Sequence, residues 1–203
     1  MATIALIGAS GRVGSRILKE LVNRGHRVTG IARHPDKIAQ LPNVTAVRGD
    51  VFDKDGLAAL LRGHDAVVSA VFFTASDPGL LIAAVRASGV KRYLVVGGAG
   101  SLEVAPGLRL IDSPDFPPEY KPEAAKGAEF LELLKGVDDL DWTFLSPSAL
   151  FEPGERTGVF RLGGDQLLTN AQGSRISMED YAIAFADEVE KPAHVRQRFT
   201  VGY

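Results

Sequence analysis

The chain has 203 residues, of which 45% are hydrophobic, and its mean hydropathy is +0.05. This length is ample for one compact core and short for two full domains. The 23 lysine and arginine residues nearly balance the 25 aspartate and glutamate residues, and no basic block occurs, so nucleic acid is not an expected partner. The lack of cysteine excludes disulfides and thiolate catalysis. Without a charged-then-apolar leader or an apolar run of about 20 residues, we expect a cytoplasmic protein that does not bind membranes.

The first predicted unit is a strand that turns directly into a helix. Ile4–Ile7 is an unbroken apolar run, typical of a parallel strand covered on both faces, and apolar residues at helical spacing follow from Val13. Glycines at 8, 11 and 14 lie between them, where side chains would block a tight turn or the approach of a pyrophosphate. The open helix N-terminus offers N–H groups to phosphate. The spacing predicts a dinucleotide-binding fold. A tight turn that binds nothing is the alternative, and the missing Gly-Lys-Ser/Thr excludes a triphosphatase loop.

Strands and helices alternate through the rest of the chain. Five further strands are predicted, over Arg27–Ala32, Asn43–Arg48, Ala66–Phe72, Lys91–Val96 and Trp142–Ser146. The predicted helices include one capped by Asp53, one over Gly79–Ser88 and one from Pro122 to about Lys135. This rhythm predicts an α/β protein with a Rossmann-type doubly wound parallel β-sheet and helices on both faces. We expect a single domain over residues 1–203, with a small C-terminal extension on the substrate side.

Two segments outside this rhythm, residues 101–122 and 152–175, are candidates for substrate contact. Ser113–Pro122 is too rich in proline for a helix or a central strand, so a lid over the site and a solvated loop are both open interpretations. Glu152–Gln172 is predicted to form a glycine-rich hairpin with GVFRL and QLL as its arms. Ser177 and Asp180 then have capping-box spacing at the start of a last helix.

Arg33 follows the second predicted strand, about 20 residues after the glycine loop. An acidic residue at this place binds the ribose 2′-hydroxyl of NAD, whereas arginine suits the 2′-phosphate of NADP. Together with Arg12 in the glycine loop, it favours NADP(H) over NAD(H), unless both are ordinary solvated arginines. Asp50 and Val51 end the third strand beside the expected adenine. Asp50 is predicted either to accept from the adenine amino group or to cap the next turn.

The combination of these motifs with Asp65–Val68, the glycine-rich end of the fifth strand and the segment SRISMEDYA resembles a known group. The chain is similar to the atypical short-chain dehydrogenase/reductase superfamily, on the NAD(P)H-binding branch of NADH-flavin reductase-like and NmrA-like proteins, which includes biliverdin reductase B. The resemblance implies that the pyrophosphate contacts Gly8, Ser10, Gly11, Arg12, Val13 and Gly14, and that the 2′-phosphate contacts Arg33. It places adenine against Asp50 and Val51, and the adenosine ribose against Ala70 and Val71. The nicotinamide is expected near Gly97, Gly98 and Ser146–Pro147.

The usual catalytic pair of that superfamily, Tyr-x-x-x-Lys, is missing. Tyr120 is followed by Lys126 six residues later, off its helix face and with Pro122 between them, and neither Tyr93 nor Tyr181 has a lysine four residues on. Gly97–Gly98 takes the place of the catalytic serine. Ser101, as the nearest hydroxyl, and Lys126 are the candidate catalytic residues, although a solvated helix lysine explains Lys126 as well.

Three functions follow from this sequence. The first is a reductase that passes hydride from NADPH to a small-molecule acceptor such as flavin. The second is an NmrA-like protein that senses NADP(H) without turnover, and the third is an isomerase or epimerase, which would need the missing pair. The four histidines are scattered without ligand spacing, so no metal site is expected. A monomer and a dimer are both compatible with the sequence.

Overall fold

The computed structural model describes residues 1–203. It contains five α-helices and twelve strands. The helices are α1 (Arg12–Asn23), α2 (Lys54–Leu61), α3 (Pro78–Ser88), α4 (Lys121–Lys135) and α5 (Met178–Glu190). The strands are β1 (Thr3–Ile7), β2 (Arg27–Ala32), β3 (Val44–Arg48), β4 (Ala66–Ser69), β5 (Arg92–Val96), β6 (Glu103–Ala105), β7 (Leu108–Arg109), β8 (Asp141–Ser146), β9 (Leu150–Glu152), β10 (Arg161–Gly163), β11 (Arg175–Ser177) and β12 (Gln197–Gly202).

Eight strands form one sheet in the order β10-β12-β8-β5-β4-β1-β2-β3. All neighbours are parallel except β10, which pairs antiparallel with β12 at one edge. The chain starts in the middle of the sheet, runs to one edge through β2 and β3, and then returns to fill the other half from β4 onward. The predicted Rossmann-type doubly wound sheet is confirmed.

Both faces of the sheet are covered by helices, which explains the unbroken apolar strands. Along β1, Ala5 and Ile7 point into a buried cluster with side chains of α2, α3 and α4, while Ile4 and Leu6 point into a second cluster with α1 and α5. Alternate residues of one strand therefore serve two separate cores. Each helix needs only one apolar stripe, and the predicted caps at Asp53 and Ser177 hold the starts of α2 and α5.

The predicted hairpin over Glu152–Gln172 is wrong. Arg161–Gly163 pairs with β12 and not with the QLL segment, of which only Gln166 forms an isolated bridge, to Glu103. The sequence between the two predicted arms has the glycines of a turn, but the partner strand lies 35 or more residues further along the chain. The fourth strand also ends earlier than predicted, at Ser69.

Residues 153–160 cross from β9 to β10 over α1 and α5. Asp180, fully buried at the start of α5, accepts hydrogen bonds from Thr157 Oγ1, from the N–H of Gly158 (2.8 Å) and from the Tyr203 hydroxyl (2.8 Å). Arg156 binds the buried Glu20 with two nitrogens, at 3.1 and 3.0 Å. Carboxylates of the helices thus fix an otherwise irregular segment.

None of the five helices is long and apolar enough to cross a bilayer.

Replacing Asp180 with alanine should lower the free energy of unfolding by about 2–4 kcal/mol, because three donors lose a fully buried carboxylate acceptor. Urea denaturation measures this. The matched control is Asp187→Ala on the same helix: its carboxylate is 57% exposed and bonds only Arg24, so the loss should stay below about 1 kcal/mol. Equal losses in the two variants would contradict the role given to Asp180.

Candidate functional site

The site is a cavity of about 800 Å³ at the carboxyl ends of six adjacent strands, where the two halves of the sheet diverge. In an open parallel sheet this is the place where ligands bind. The cavity is lined by segments that follow β3, β2, β1, β4, β5 and β8, by residues 110–124 and by Phe151 and Met178. The residues predicted for cofactor binding are all in this lining except Gly14 and the fully buried Ser146. Those in the lining are Gly8, Ser10, Gly11, Arg12, Val13, Arg33, Asp50, Val51, Ala70, Val71, Gly97, Gly98 and Pro147.

The glycine loop has the geometry of a phosphate cradle. Gly8 has a left-handed φ of +84°, and a Cβ there would overlap the carbonyl oxygen of Ala70. Gly11 begins α1 without a side-chain cap or an acidic residue in the first turn, and Ser15 donates the first helical hydrogen bond, to the Gly11 carbonyl at 2.9 Å. The three N–H groups before Ser15 have no helical acceptor. They and the positive end of α1 can therefore receive a pyrophosphate.

Gly14 serves this loop indirectly. It does not line the cavity, and a Cβ at this position would overlap the carbonyl oxygen of Gly8. A side chain would push the first turn of α1 away from the end of β1. The third glycine of the motif therefore permits helix–strand packing, and we give it no contact with a ligand.

Two arginines bring positive charge to the half of the cavity nearest β2. Arg12 and Arg33 are both exposed residues of the lining, and neither guanidinium has a hydrogen-bond or ion-pair partner in the protein. Two such donor groups can bind an anionic oxygen cluster without first breaking an internal ion pair. Asp50 lies beside them with Val51. One oxygen of Asp50 accepts from the N–H of Phe52 at 2.9 Å, so the turn-capping alternative holds, and its other oxygen stays free to face the cavity.

Gly97 closes the floor of the cavity at the end of β5. Its N–H donates to the Leu145 carbonyl at 2.8 Å, and a Cβ would overlap the ring of Phe144. That ring is fully buried and stacks on Phe73 at 6.2 Å between centroids. A rigid aromatic cluster therefore supports the backbone of Gly97, and only glycine brings this backbone flush with the cavity.

The N-terminus of α4 forms the wall beside Gly97. A Cβ on Gly100 would lie 2.7 Å from the Cβ of Ala124, so the first turn of α4 packs directly against the end of β5. Glu123 fixes the neighbouring wall, since its carboxylate accepts from the N–H groups of Phe73 (2.7 Å) and Thr74 (2.9 Å) and from Thr74 Oγ1 (2.7 Å). The proline-rich segment reaches the cavity through Ser113, Asp115, Phe116 and Pro117. Of the two interpretations left open for this segment, contact with the site is the one the structure supports.

The two candidate catalytic residues do not reach the cavity. Ser101 lies outside the lining, and its Oγ accepts from Arg198 at 3.3 Å. Lys126 is exposed on α4 and binds Glu129 at 2.7 Å. Both assignments stay predictions without a contact to the cavity: Ser101 is engaged by Arg198 of β12, and Lys126 by Glu129 of α4. Residues 152–175, expected on the substrate side, also contribute nothing to the lining.

Sequence reasoning missed the aromatic residues around the cavity. Tyr120, set aside for its distance from Lys126, lines the cavity immediately before α4, and Ala124 occupies the position four residues later where a lysine would stand. Phe72 is 70% exposed at the rim. A usable signal was present, since Phe72 is the last residue of a predicted strand, and ligand contacts concentrate at the ends of such strands.

The other two tyrosines considered for catalysis are structural. Burial raises the pKa of Tyr181 well above its ordinary value, and its hydroxyl donates to the Leu145 carbonyl at 2.7 Å. Burial likewise raises the pKa of Tyr93, whose hydroxyl is 3.0 Å from Ser69 Oγ. Neither lines the cavity. Both stay neutral and support the strands beneath the site.

A model of NAD(P)H-binding proteins matches residues 8–189 of this chain. The chain belongs to this NAD(P)H-binding family. The matched range includes every residue placed around the cavity except Ile7. The family assignment agrees with the glycine loop and with the open N-terminus of α1, and it identifies the fold as that of an oxidoreductase-like, nucleotide-binding protein.

Similar proteins cover the full length of the chain. YwnB of Bacillus subtilis, an uncharacterized member, is 46% identical over 209 residues, which is 98% of this chain and 97% of YwnB. A structure from Streptococcus pneumoniae described as a "putative NADH-flavin reductase" is 39% identical, with a TM-score of 0.82 over 100% of this chain and 99% of that one. A "putative epimerase" from Bacteroides thetaiotaomicron is 43% identical, with a TM-score of 0.94 over 100% and 97% of the two chains.

The role of Gly97 can be tested against its neighbour. Gly97→Ala should lower the free energy of unfolding by about 1–3 kcal/mol, because the new methyl group must displace the buried Phe144 ring. In Gly98→Ala the added Cβ meets only a carbon of Phe73, at an ordinary 3.4 Å, so the change should stay within about 0.5 kcal/mol. Thermal or urea unfolding of both variants distinguishes a crowded floor from a general intolerance of side chains here.

Proposed function

We propose that the protein is an NADPH-dependent reductase that passes hydride to a flavin-like, conjugated acceptor. One observation carries the proposal. A single cavity joins a phosphate-binding glycine loop with two unpaired arginines to an aromatic wall in which no tyrosine is paired with a lysine. The similarity to the Streptococcus pneumoniae protein supports the same activity.

The chain's own residues fit the cofactor at one half of the cavity. The free N–H groups before Ser15 would hold the pyrophosphate, and Arg12 and Arg33 would flank the 2′-phosphate. Gly97 and Gly98 would present flat backbone to the nicotinamide, and Ala70 and Val71 would lie along the ribose; all four line the cavity. When bound, NADPH supplies the hydride.

The choice of acceptor follows from the missing acid. A carbonyl that accepts hydride becomes an alkoxide and gains from a positioned proton donor, whereas a conjugated ring spreads the added charge and can take its proton from water. With Ala124 in place of a lysine, Tyr120 lacks the partner four residues later that activates a tyrosine hydroxyl in a Tyr-x-x-x-Lys pair. The protein would act by holding two flat rings face to face, which is catalysis by proximity and orientation. The same absence disfavours the epimerase chemistry named for the Bacteroides thetaiotaomicron relative.

Cofactor preference is the first test. Arg33→Ala should weaken NADPH binding by about 1.5–3 kcal/mol and leave NADH binding nearly unchanged, because a charge-assisted hydrogen bond to the 2′-phosphate is lost. Fluorescence titration of both cofactors measures this. Arg27→Ala, at the opposite end of β2 and also exposed, serves as the control and should not change the ratio. Equal affinity of the wild type for NADPH and NADH would contradict the assignment of Arg33.

Turnover is the second test. Mixing NADPH-loaded protein with riboflavin in a stopped-flow instrument should oxidise the cofactor faster than the protein-free reaction, whereas acetaldehyde and similar carbonyls should give no acceleration. Tight NADPH binding without oxidation by any flavin or quinone would instead support the NmrA-like sensor. In that case the reductase proposal would be wrong and the cofactor assignment would stand.

A further inference from the structure

The cavity has its positive side chains in one half only, where Asp50 also lies. Its only cationic lining residues are Arg12 and Arg33, beside the ends of β1 and β2. The α4 wall and the proline-rich segment contribute Asp115 and Glu123 and no lysine, arginine or histidine. The negative charge of Glu123 is offset in part by its three hydrogen-bond donors, the two N–H groups and the hydroxyl of Phe73 and Thr74. The exposed Asp115 carboxylate has no hydrogen-bond or ion-pair partner. This half of the lining is therefore negative.

Arg33 is too far away to serve this half. Arg33 follows β2, and β2 and β5 are separated by β1 and β4, so three strand spacings amount to about 14 Å. The segment with Asp115 stays at the β5 end, because Ile111 donates to the Gly100 carbonyl at 3.0 Å. On the proposed function both arginines also face the cofactor, which leaves them unavailable to a second anion.

Three of the four cations near the α4 wall are engaged elsewhere. Arg109 binds Asp112 at 2.7 Å, and Arg198, whose side chain is 6% exposed, binds Asp165 at 2.6 Å. Lys126 pairs with Glu129. The fourth, Lys121, is exposed at the start of α4. None of the four side chains lines the cavity.

We infer that the acceptor is an uncharged planar ring compound that carries neither phosphate nor carboxylate; among flavins this means riboflavin-type compounds in preference to FMN or FAD. The inference rests on the proposed function and narrows its substrate class. A phosphate monoester carries a charge of about −1.5 to −2 at pH 7 and would face Asp115 without a counter-ion. Phe72, Phe116 and Tyr120 provide faces for an apolar ring at the same place.

The test compares two flavins that differ by the phosphate. Steady-state NADPH oxidation at low ionic strength should give a kcat/KM for riboflavin about fivefold or more above that for FMN, the ratio expected for a doubly charged group about 8 Å from one exposed carboxylate. The difference should shrink as salt is raised towards 1 M, where the screening length is about 3 Å. A kcat/KM for FMN equal to or above that for riboflavin would overturn the inference.

Reversing the charge at one position sharpens the test. Asp115→Arg should raise the ratio of kcat/KM for FMN over riboflavin by about 25-fold, the square of the fivefold factor, because repulsion becomes attraction. Glu119→Arg is the matched control: it makes the same charge change four residues away, at an exposed position outside the lining, and should leave the ratio within about twofold. Equal responses of the two variants would show that only net charge matters, and would contradict the role of Asp115.

Binding separates this inference from the proposed function. Quenching of flavin fluorescence by the NADP⁺-loaded protein reports affinity without turnover. If no flavin is reduced but riboflavin binds about fivefold or more tightly than FMN, the reductase proposal fails and the charge selectivity stands. If FMN binds as tightly as riboflavin, or neither binds, the inference is wrong whatever the turnover.

Discussion

The site depends on three backbone segments that approach one another more closely than side chains would permit. The carbonyl of Ala70 lies against Gly8, and the carbonyl of Gly8 lies against Gly14. These contacts bring the end of β4, the end of β1 and the first turn of α1 to a single point. A Cβ at either glycine would push these three segments apart. It would also block the approach of a pyrophosphate to the helix N-terminus. The cofactor half of the cavity is therefore built almost entirely from backbone.

The other half is built from side chains and depends on long-range packing. The Phe144 ring supports Gly97, Phe73 stacks on Phe144, and Glu123 holds the backbone of Phe73 and Thr74. Each of these contacts joins elements that lie far apart in the sequence. The polarity of this half can change through residues such as Asp115 without disturbing the glycine loop.

This division also explains what the sequence could predict. The glycine loop, the strands of the doubly wound sheet and the caps at Asp53 and Ser177 are local patterns, and the structure has them where they were expected. The partner of β10 is β12, more than 30 residues away, so glycine content alone pointed to the wrong hairpin. Ser101 has a plausible position after β5, yet Arg198 from a strand at the far end of the chain engages it. Contacts of this kind leave no periodic signal.

Tyr120 illustrates the same limit in the opposite direction. Its spacing to Lys126 gave a reason to discard it. Its place in the lining depends on where α4 begins, and not on its distance in sequence from a lysine. The packing of Ala124 against Gly100 fixes where α4 begins, and it brings Tyr120, the residue before α4, into the lining. A lysine side chain at position 124 would have to displace this contact with the end of β5. The close fit between α4 and β5 and the absence of a tyrosine–lysine pair are thus two consequences of the same small residue.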